Sequence, residues 1–286
     1  MDADWLNSRW LDLDGPTNAR SLAGLPTRDG RAVQPGRLLR ADQLQDLSAS
    51  DVEILLEEHG VTEVLDLRTD TERECEGPAP LDSESSVRVH RMSFLPREDD
   101  ELREVDGAKI MPWQTIPDHD ELEDEEATDQ PVKKAIAPLV YIAYLHDRPD
   151  SVVAAMKTIA HADGGVLVHC AAGKDRTGTL VALALDLAGV DREAILADYL
   201  LTGERIPRII ERMMGSETYR ANLEGRPLEV FMPRPESIDD VFTVLDQSGG
   251  AEQWLRAQRV EDPWTTADTS ALRERLLGAA DEAGRA

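Results

Sequence analysis

The segment from residue 166 to residue 187 constrains the fold more than any other part of the chain. Val166-Leu167-Val168 is a short apolar run of the kind that forms a buried strand, and an apolar helical pattern extends from Thr177 to Leu187. Gly189 follows as the expected helix end. The junction, His169 to Gly178, reads HCAAGKDRTG and is too short for any further element. A strand that leads directly into a helix predicts an α/β fold.

The preceding segments extend this pattern. Ser48 and Asp51 form a capping box for a helix of about twelve residues that ends at Gly60. Residues 64–67 then predict a short buried strand, and residues 87–91 alternate like a more exposed one. Beyond residue 131 the apolar spacing is helical almost throughout. We therefore predict a central sheet flanked by helices, with a helical carboxyl-terminal third.

Charge is unevenly distributed along the 286 residues. The chain has 57 acidic and 31 basic residues, a net charge of −26, and residues 98–129 contain fourteen acids and two bases. Such runs repel themselves and are normally solvated. We interpret residues 96–131 as an acidic insertion or lid within a single domain covering residues 1–286. The overall charge argues against a nucleic-acid partner or docking on an anionic membrane.

Several other functions are disfavoured by the sequence. Its apolar runs are too short to span a bilayer, so no stable membrane insertion is expected. The amino terminus lacks the basic start and apolar stretch of a secretory signal, and the only two cysteines suit a reducing compartment, so a cytoplasmic location is expected. A redox bridge between Cys75 and Cys170 is disfavoured, because nothing in the sequence brings the two together. The sequence gives no indication of the oligomeric state.

The junction has the residues of a phosphate-binding loop with a nucleophile. If the loop curls, its backbone N–H groups point inward at a helix amino terminus, where an anion is favoured. Arg176 follows Cys170 by six residues, so its guanidinium can grip two phosphate oxygens, and these positive groups favour the thiolate of Cys170. The predicted phosphate-binding residues are Ala171, Ala172, Gly173, Lys174, Asp175 and Arg176.

The chemistry predicted for this loop is in-line attack on phosphorus, giving a cysteinyl-phosphate intermediate that water hydrolyses. Thr177 could donate a hydrogen bond to the departing thiolate. His169 is either a packed residue at the strand end or a group that orients the loop. The scheme requires neither a metal nor a cofactor.

The signature His-Cys-x-x-Gly-Lys-Asp-Arg-Thr-Gly resembles that of the bacterial atypical protein tyrosine phosphatases, the mycobacterial phosphatase B-like family, which has lipid-phosphatase relatives. Further segments are similar to landmarks of that family in the same order. They are Asn18 to Gly24, Pro35 to Ala41, Val64 to Arg68 with Glu72, and Asp198-Tyr199-Leu200. The resemblance implies a phosphatase α/β fold with a helical lid. It also implies Cys170 as nucleophile, Arg176 as phosphate clamp, and Lys174 and Asp175 as residues that tune substrate and leaving-group chemistry.

The general acid is not fixed by the resemblance. Family members often have an acidic residue just after the strand equivalent to residues 87–94, where this chain reads Phe94-Leu95-Pro96-Arg97-Glu98-Asp99-Asp100. Asp99 is the predicted acid, and Glu98, Asp100 and Asp175 are alternatives.

The sequence therefore predicts a cysteine-dependent phosphomonoester hydrolase that acts on phosphotyrosine in proteins. A phosphoinositide phosphatase is the alternative enzyme, because Lys174 adds positive charge to the loop, and a phosphate-binding pseudoenzyme or scaffold is the alternative outside enzymes. Asp66 and Arg68 are interpreted as a structural ion pair, and Arg20 and Arg40 as structural residues of the same kind.

Overall fold

A computed structural model describes residues 5, 7–96 and 140–279, and the backbone of residues 104–105 and 108–109. The acidic insertion therefore lies almost wholly outside the described residues, as do the apolar positions 132–139. Within it, only a short antiparallel pair is described, β5 (Glu104–Val105) with β6 (Ala108–Lys109).

The central sheet has five strands in the order β1-β2-β7-β3-β4. Their bounds are β1 Arg20–Ser21, β2 Leu38–Ala41, β3 Val61–Asp66, β4 Arg88–Arg91 and β7 Gly165–His169. β1 is antiparallel to β2, and the other neighbouring pairs are parallel. Parallel neighbours require crossover connections, so the helices lie against the faces of the sheet, as the α/β prediction expects.

Helices make up most of the remaining described chain. They are α1 Ala49–Glu53, α2 Asp70–Glu76, α3 Pro149–His161, α4 Asp175–Ala188, α5 Arg192–Leu201, α6 Ile206–Met214, α7 Glu217–Leu223, α8 Pro235–Gln247, α9 Ala251–Ala257 and α10 Thr266–Leu277. Residues 140–147 are helical as well. The prediction of a helical carboxyl-terminal third is confirmed.

The first predicted helix is capped as expected but changes character along its length. Ser48 and Asp51 form the reciprocal capping box of α1, and the chain then continues as a π-helical turn over Ile54–Glu58. The His59 amide donates to the carbonyl of Ile54 at 3.2 Å, five residues back, which widens the last turn. The helical segment is therefore ten residues long, 49–58, instead of about twelve.

Two apolar clusters pack on the two faces of the sheet. Alternate residues of β7 face opposite sides, so Val166 and Val168 lie in the larger cluster and Leu167 in the smaller one. Helix α4 contributes to the larger cluster along almost its whole length. This position explains why its sequence is apolar on all sides.

The junction between β7 and α4 differs in its bounds from the prediction. The strand extends to His169, and the helix begins at Asp175 instead of Thr177. The first turn closes early because the Gly178 amide donates to the Lys174 carbonyl at 2.8 Å. Asp175 and Arg176 therefore stand in the first helical turn, and the irregular loop is only residues 170–174.

Candidate active site

The loop of residues 170–174 lies at the carboxyl end of the central strand β7, with the amino terminus of the fourteen-residue helix α4 directly behind it. Cys170 is 2% exposed and Ala171 is 4% exposed. The peptide dipoles of α4 favour a negative charge at this end of the helix. The loop is thus a buried turn in an electrostatically positive position.

The loop is held from outside through its carbonyl groups. The Gln43 amide donates to the Ala171 carbonyl at 3.1 Å, and Asn18 Nδ2 donates to the Ala172 carbonyl at 2.9 Å. Arg40 Nη2 donates to the Gly173 carbonyl at 2.7 Å. Three successive carbonyls are therefore fixed on the side of the loop that faces β2.

Behind these anchors, a buried carboxylate holds three arginines. Asp198 accepts hydrogen bonds from Arg9 at 2.8 Å, Arg20 at 3.0 Å and Arg40 at 2.8 Å. Burial alone would raise the pKa of Asp198, but the three guanidinium groups lower it below its usual range, so the carboxylate stays charged. Arg20 and Arg40 are structural, as predicted. Arg40 in addition connects Asp198 to the loop.

Gly173 cannot be replaced without moving this loop. Its φ is +64°, and a Cβ at this position would lie 2.4 Å from the carbonyl oxygen of Ala41. Only glycine adopts such a conformation at low cost. The loop and strand β2 thus approach each other at backbone distance.

Arg176 is bound by a buried carboxylate of helix α2. Its Nη1 and Nη2 donate to the two Glu72 oxygens at 2.6 and 2.8 Å, and Nη1 also donates to the Leu67 carbonyl at 3.3 Å. Tyr219 on α7 donates to Glu72 Oε1 at 3.1 Å. Burial disfavours the charge on Glu72, but Arg176 outweighs it and lowers the Glu72 pKa. The guanidinium is therefore held in one orientation.

Asp175 belongs to a second hydrogen-bonded group. Tyr141 donates to Asp175 Oδ1 at 2.5 Å, and the hydroxyl oxygens of Tyr141 and Tyr199 lie 2.7 Å apart. Burial, and then the charge of Asp175, raise the pKa of Tyr141 well above its usual range, so the phenol keeps its proton. Lys174 Nζ lies 3.4 Å from Asp175 Oδ1 and donates to the Phe231 carbonyl at 2.7 Å.

His169 and Thr177 flank the loop. His169 is 2% exposed, and burial lowers the pKa of its imidazole to about 4. Its Nδ1 lies 3.3 Å from the Cys170 carbonyl oxygen, so the imidazole is packed at the strand end and also contacts the first residue of the loop. Thr177 is fully buried, and its hydroxyl has no hydrogen-bond partner among the described residues.

Two helices cover the loop. A separate apolar cluster joins Ala171 to Ile206, Ile209 and Met213 of α6 and to Tyr219 of α7.

Both cysteines are free thiols, with Cys170 buried and Cys75 exposed. No group of three or more metal-ligating side chains is present in residues 7–96 and 140–279.

The structure thus brings Cys170, Lys174, Asp175 and Arg176 together, while Asp99, Glu98 and Asp100 lie outside the described residues. The ion pair of Asp66 with Arg68 is confirmed, with Nη2 2.8 Å from Oδ2. Three sets of contacts were missed, namely those of Glu72 with Arg176, of Tyr141 with Asp175, and of Asn18 with the loop. The pattern Thr69-x-x-Glu72 could have located Glu72, because it is a capping box that opens α2.

Comparisons with known proteins agree with this geometry. A sequence model of the tyrosine phosphatase family matches residues 11–278. The chain is 28% identical over 237 residues to the triple specificity protein phosphatase PtpB of Mycobacterium tuberculosis, covering 82% of this chain and 83% of that protein. It is 31% identical over 204 residues to a provisionally named tyrosine-protein phosphatase of Cupriavidus necator, covering 68% of this chain and 63% of that protein.

The alignment with a third relative covers a shorter part of the chain. The chain is 32% identical over 129 residues to the tyrosine-protein phosphatase of Nostoc commune, covering 43% of this chain and 44% of that protein. In the part of the chain that the structure describes, no helix is long and apolar enough to cross a membrane.

The family match spans nearly the whole chain, including the loop at Cys170. The chain therefore belongs to the tyrosine phosphatase family, whose members are cysteine-dependent phosphoric monoester hydrolases.

Proposed function

We propose that this protein hydrolyses phosphotyrosine in proteins, with Cys170 as the nucleophile. The observation that carries this proposal is the position of Cys170 at the start of a loop whose next three carbonyls are held on one side, by Gln43, Asn18 and Arg40. Peptide groups anchored in this way can direct their N–H groups toward a bound phosphoryl group. The amino terminus of α4 adds its dipole to the same site.

The first chemical step forms an S–P bond and breaks a P–O bond. The Cys170 thiolate attacks phosphorus opposite the tyrosine oxygen, which leaves with a proton from a general acid. The loop amides and Arg176 stabilise the negative charge on the equatorial oxygens. Because Glu72 already orients the guanidinium, Arg176 needs little rearrangement when the phosphoryl group binds.

The second step breaks the S–P bond. Water attacks the cysteinyl phosphate, loses a proton and releases inorganic phosphate, and the thiolate of Cys170 is restored. Thr177 supports this step, because its buried hydroxyl has no partner among the described residues and can donate to the departing sulfur. We propose the loop residues 171–176 as the phosphate-binding set throughout.

The identity of the general acid stays a prediction. Asp99 was expected from its place after the fourth strand, and Asp175 is the alternative that the structure describes. Asp175 is about one-third exposed, and its carboxylate is held by Tyr141 at 2.5 Å. A carboxylate that is positioned next to the loop and still open to solvent can deliver a proton to a leaving group.

The environment of Lys174 favours phosphotyrosine over phosphoinositide. A lysine that reads additional phosphates has to extend its ammonium group into the binding site. Lys174 Nζ instead donates to the Phe231 carbonyl, and its side chain is only 12% exposed. This contact would have to break before Lys174 could reach a polyphosphorylated head group.

Phosphate release tests the proposal. Wild type and Cys170→Ser are assayed, with EDTA present, on a phosphotyrosine peptide and on a soluble phosphoinositide. Cys75→Ser is the matched control, because it removes the other thiol of the chain. We expect turnover of the phosphotyrosine peptide in wild type and Cys75→Ser, no turnover in Cys170→Ser, and slower turnover of the phosphoinositide. Turnover that survives in Cys170→Ser would overturn the covalent mechanism, and a faster phosphoinositide reaction would reverse the substrate assignment.

A further inference from the structure

A cavity of about 690 Å³, lined mainly by polar and charged residues, lies next to the segment that contacts the catalytic loop. It is formed by the segment that follows β2 and by residues of α2, α6 and α7. Its lining includes the side chains of Gln43, Gln45, Asp46, Glu76, Arg212 and Glu217. None of the proposed catalytic or phosphate-binding residues lines it.

The cavity shares its walls with the active site. Gln43, which lines it, donates its amide hydrogen to the carbonyl of Ala171, the residue after the nucleophile. Helix α2 places Glu72 against Arg176 and Glu76 in the cavity wall, one turn further along. Through Gln43 and helix α2, the cavity therefore adjoins the loop that we propose binds phosphotyrosine.

The charge of the cavity is negative. Asp46, Glu76 and Glu217 contribute three carboxylates to its lining. Its one guanidinium, of Arg212, has its charge balanced by the buried carboxylate of Asp42, with Nη2 2.7 Å from Oδ2, although its buried nitrogens form no hydrogen bond among the described residues. Anions are repelled by such a lining, whereas a positively charged group is attracted to it.

Two amide oxygens at the cavity lack donors. Gln43 is 4% exposed, and its Oε1 is buried without a hydrogen-bond partner in the described part of the chain. Gln45 donates through Nε2 to the Gly77 carbonyl at 3.1 Å, which fixes its amide and leaves its buried Oε1 without a partner there as well. A buried acceptor requires a donor, and ammonium and guanidinium groups supply several each.

We infer that this cavity is a subsite for a lysine or arginine side chain of the substrate polypeptide, near its phosphotyrosine. This inference rests on the proposed function, because it names which phosphotyrosine sequences the enzyme prefers. The ligand supplies the positive charge that the three carboxylates lack and the N–H donors that Gln43 and Gln45 lack. The subsite acts on substrate affinity and takes no part in the chemical steps.

The first test is a comparison of peptides. Phosphotyrosine peptides are prepared with one lysine, alanine or glutamate placed in turn at each position near the phosphotyrosine, and kcat/KM is measured for each. At the best position we expect lysine to raise kcat/KM about tenfold over alanine, chiefly by lowering KM. Glutamate at that position should lower it.

Two double variants show whether the cavity is responsible. Asp46→Asn with Glu217→Gln removes two charges from the lining, and we expect it to abolish most of the lysine preference while the alanine peptide reacts as before. Asp163→Asn with Glu274→Gln removes two exposed charges near the opposite end of β7 and should leave the preference intact. A preference that survives the cavity variant, or no preference in wild type, would overturn the subsite. No turnover of any peptide would instead overturn the proposed function.

A second test does not depend on turnover. Cys75 lines the cavity and is exposed, and in Cys170→Ser it is the only thiol of the chain. The rate at which Cys75 is labelled is measured with a cationic and with an anionic methanethiosulfonate reagent. Each rate is divided by the rate of the same reagent with a small thiol in solution. We expect the cationic reagent to label Cys75 severalfold faster than the anionic one. This difference should disappear when Asp46→Asn and Glu217→Gln are added to Cys170→Ser. Labelling should also be slower when the lysine peptide is present. Equal rates for the two reagents, or no protection by that peptide, would contradict the inference.

Discussion

The contact of Glu72 with Arg176 makes the sharpest prediction about how this site is built. Glu72 is completely buried, and both of its oxygens accept hydrogen bonds from the guanidinium, at 2.6 and 2.8 Å. Glu72→Gln keeps the shape of the side chain and one acceptor oxygen. It removes the negative charge and turns an amide N–H group toward the N–H groups of Arg176. The variant therefore contains a buried cation without its counterion.

The expected cost follows from that burial. Removing one partner of a buried ion pair typically costs about 3–5 kcal/mol, because the other charge stays desolvated. The retained amide oxygen places Glu72→Gln near the lower end, at about 3 kcal/mol.

The assay is urea unfolding of wild type, Glu72→Gln and Glu74→Gln, followed by circular dichroism. Glu74 is the matched control, because it is an exposed glutamate on the same helix. Glu74→Gln should change the free energy of unfolding by less than about 0.5 kcal/mol. A loss in Glu72→Gln as small as that of the control would refute the reasoning.

The same variant has a pH signature. The Glu72 pKa is lowered in the folded state from an ordinary 4.5, so its contribution to stability is complete above that pH and is lost as the pH falls further. The difference in stability between wild type and Glu72→Gln should therefore be constant at neutral pH and shrink in acid. A difference that grows in acid would contradict the assigned charge state. Because the guanidinium is no longer held, we also expect kcat to fall more than KM rises.

Three further predictions concern the loop and its neighbours. Gly173→Ala should unfold far more easily than Gly225→Ala, since both have positive φ but only Gly173 would meet backbone atoms, and similar losses would contradict the packing. The free energy of unfolding of wild type should decrease as the pH falls from 6.5 toward about 4, because buried His169 has its pKa lowered to about 4. His169→Gln should lack this dependence on pH when unfolding is measured across the same range, and an unchanged dependence would exclude His169 as its source. Tyr141→Phe removes the hydroxyl that donates to Asp175, so kcat should fall about tenfold, the equivalent of one hydrogen bond to a charged group. An unchanged kcat would remove Asp175 from the chemistry.

The parts of the fold that local pattern determines could be predicted from the sequence. The apolar run before Cys170, the capping box at Ser48 and the all-apolar helix α4 each depend on residues close in sequence, and each was found within a few residues of its expected bounds. The start of α4 was misplaced because Lys174, Asp175 and Arg176 are charged and carry no apolar periodicity. Their helical conformation follows from the hydrogen bond between Gly178 and Lys174.

The partners of the site residues depend on tertiary packing, which sequence spacing does not contain. Glu72 precedes Arg176 by 104 positions and Tyr141 precedes Asp175 by 34, so neither contact leaves a local pattern. Arg40 was interpreted only as a structural residue, like Arg20. Its second role, holding the Gly173 carbonyl, requires the register of β2 beside β7.

The most direct test of the central claim is detection of the phosphoenzyme. Wild type, Cys75→Ser and Cys170→Ser are mixed with a phosphotyrosine peptide, quenched in acid within the first turnover and analysed by intact mass and peptide mapping. We predict one phosphate per chain, on Cys170, in wild type and Cys75→Ser, and none in Cys170→Ser. Full turnover without a phosphocysteine, or phosphate on any other residue, would contradict the assignment of Cys170 as the nucleophile.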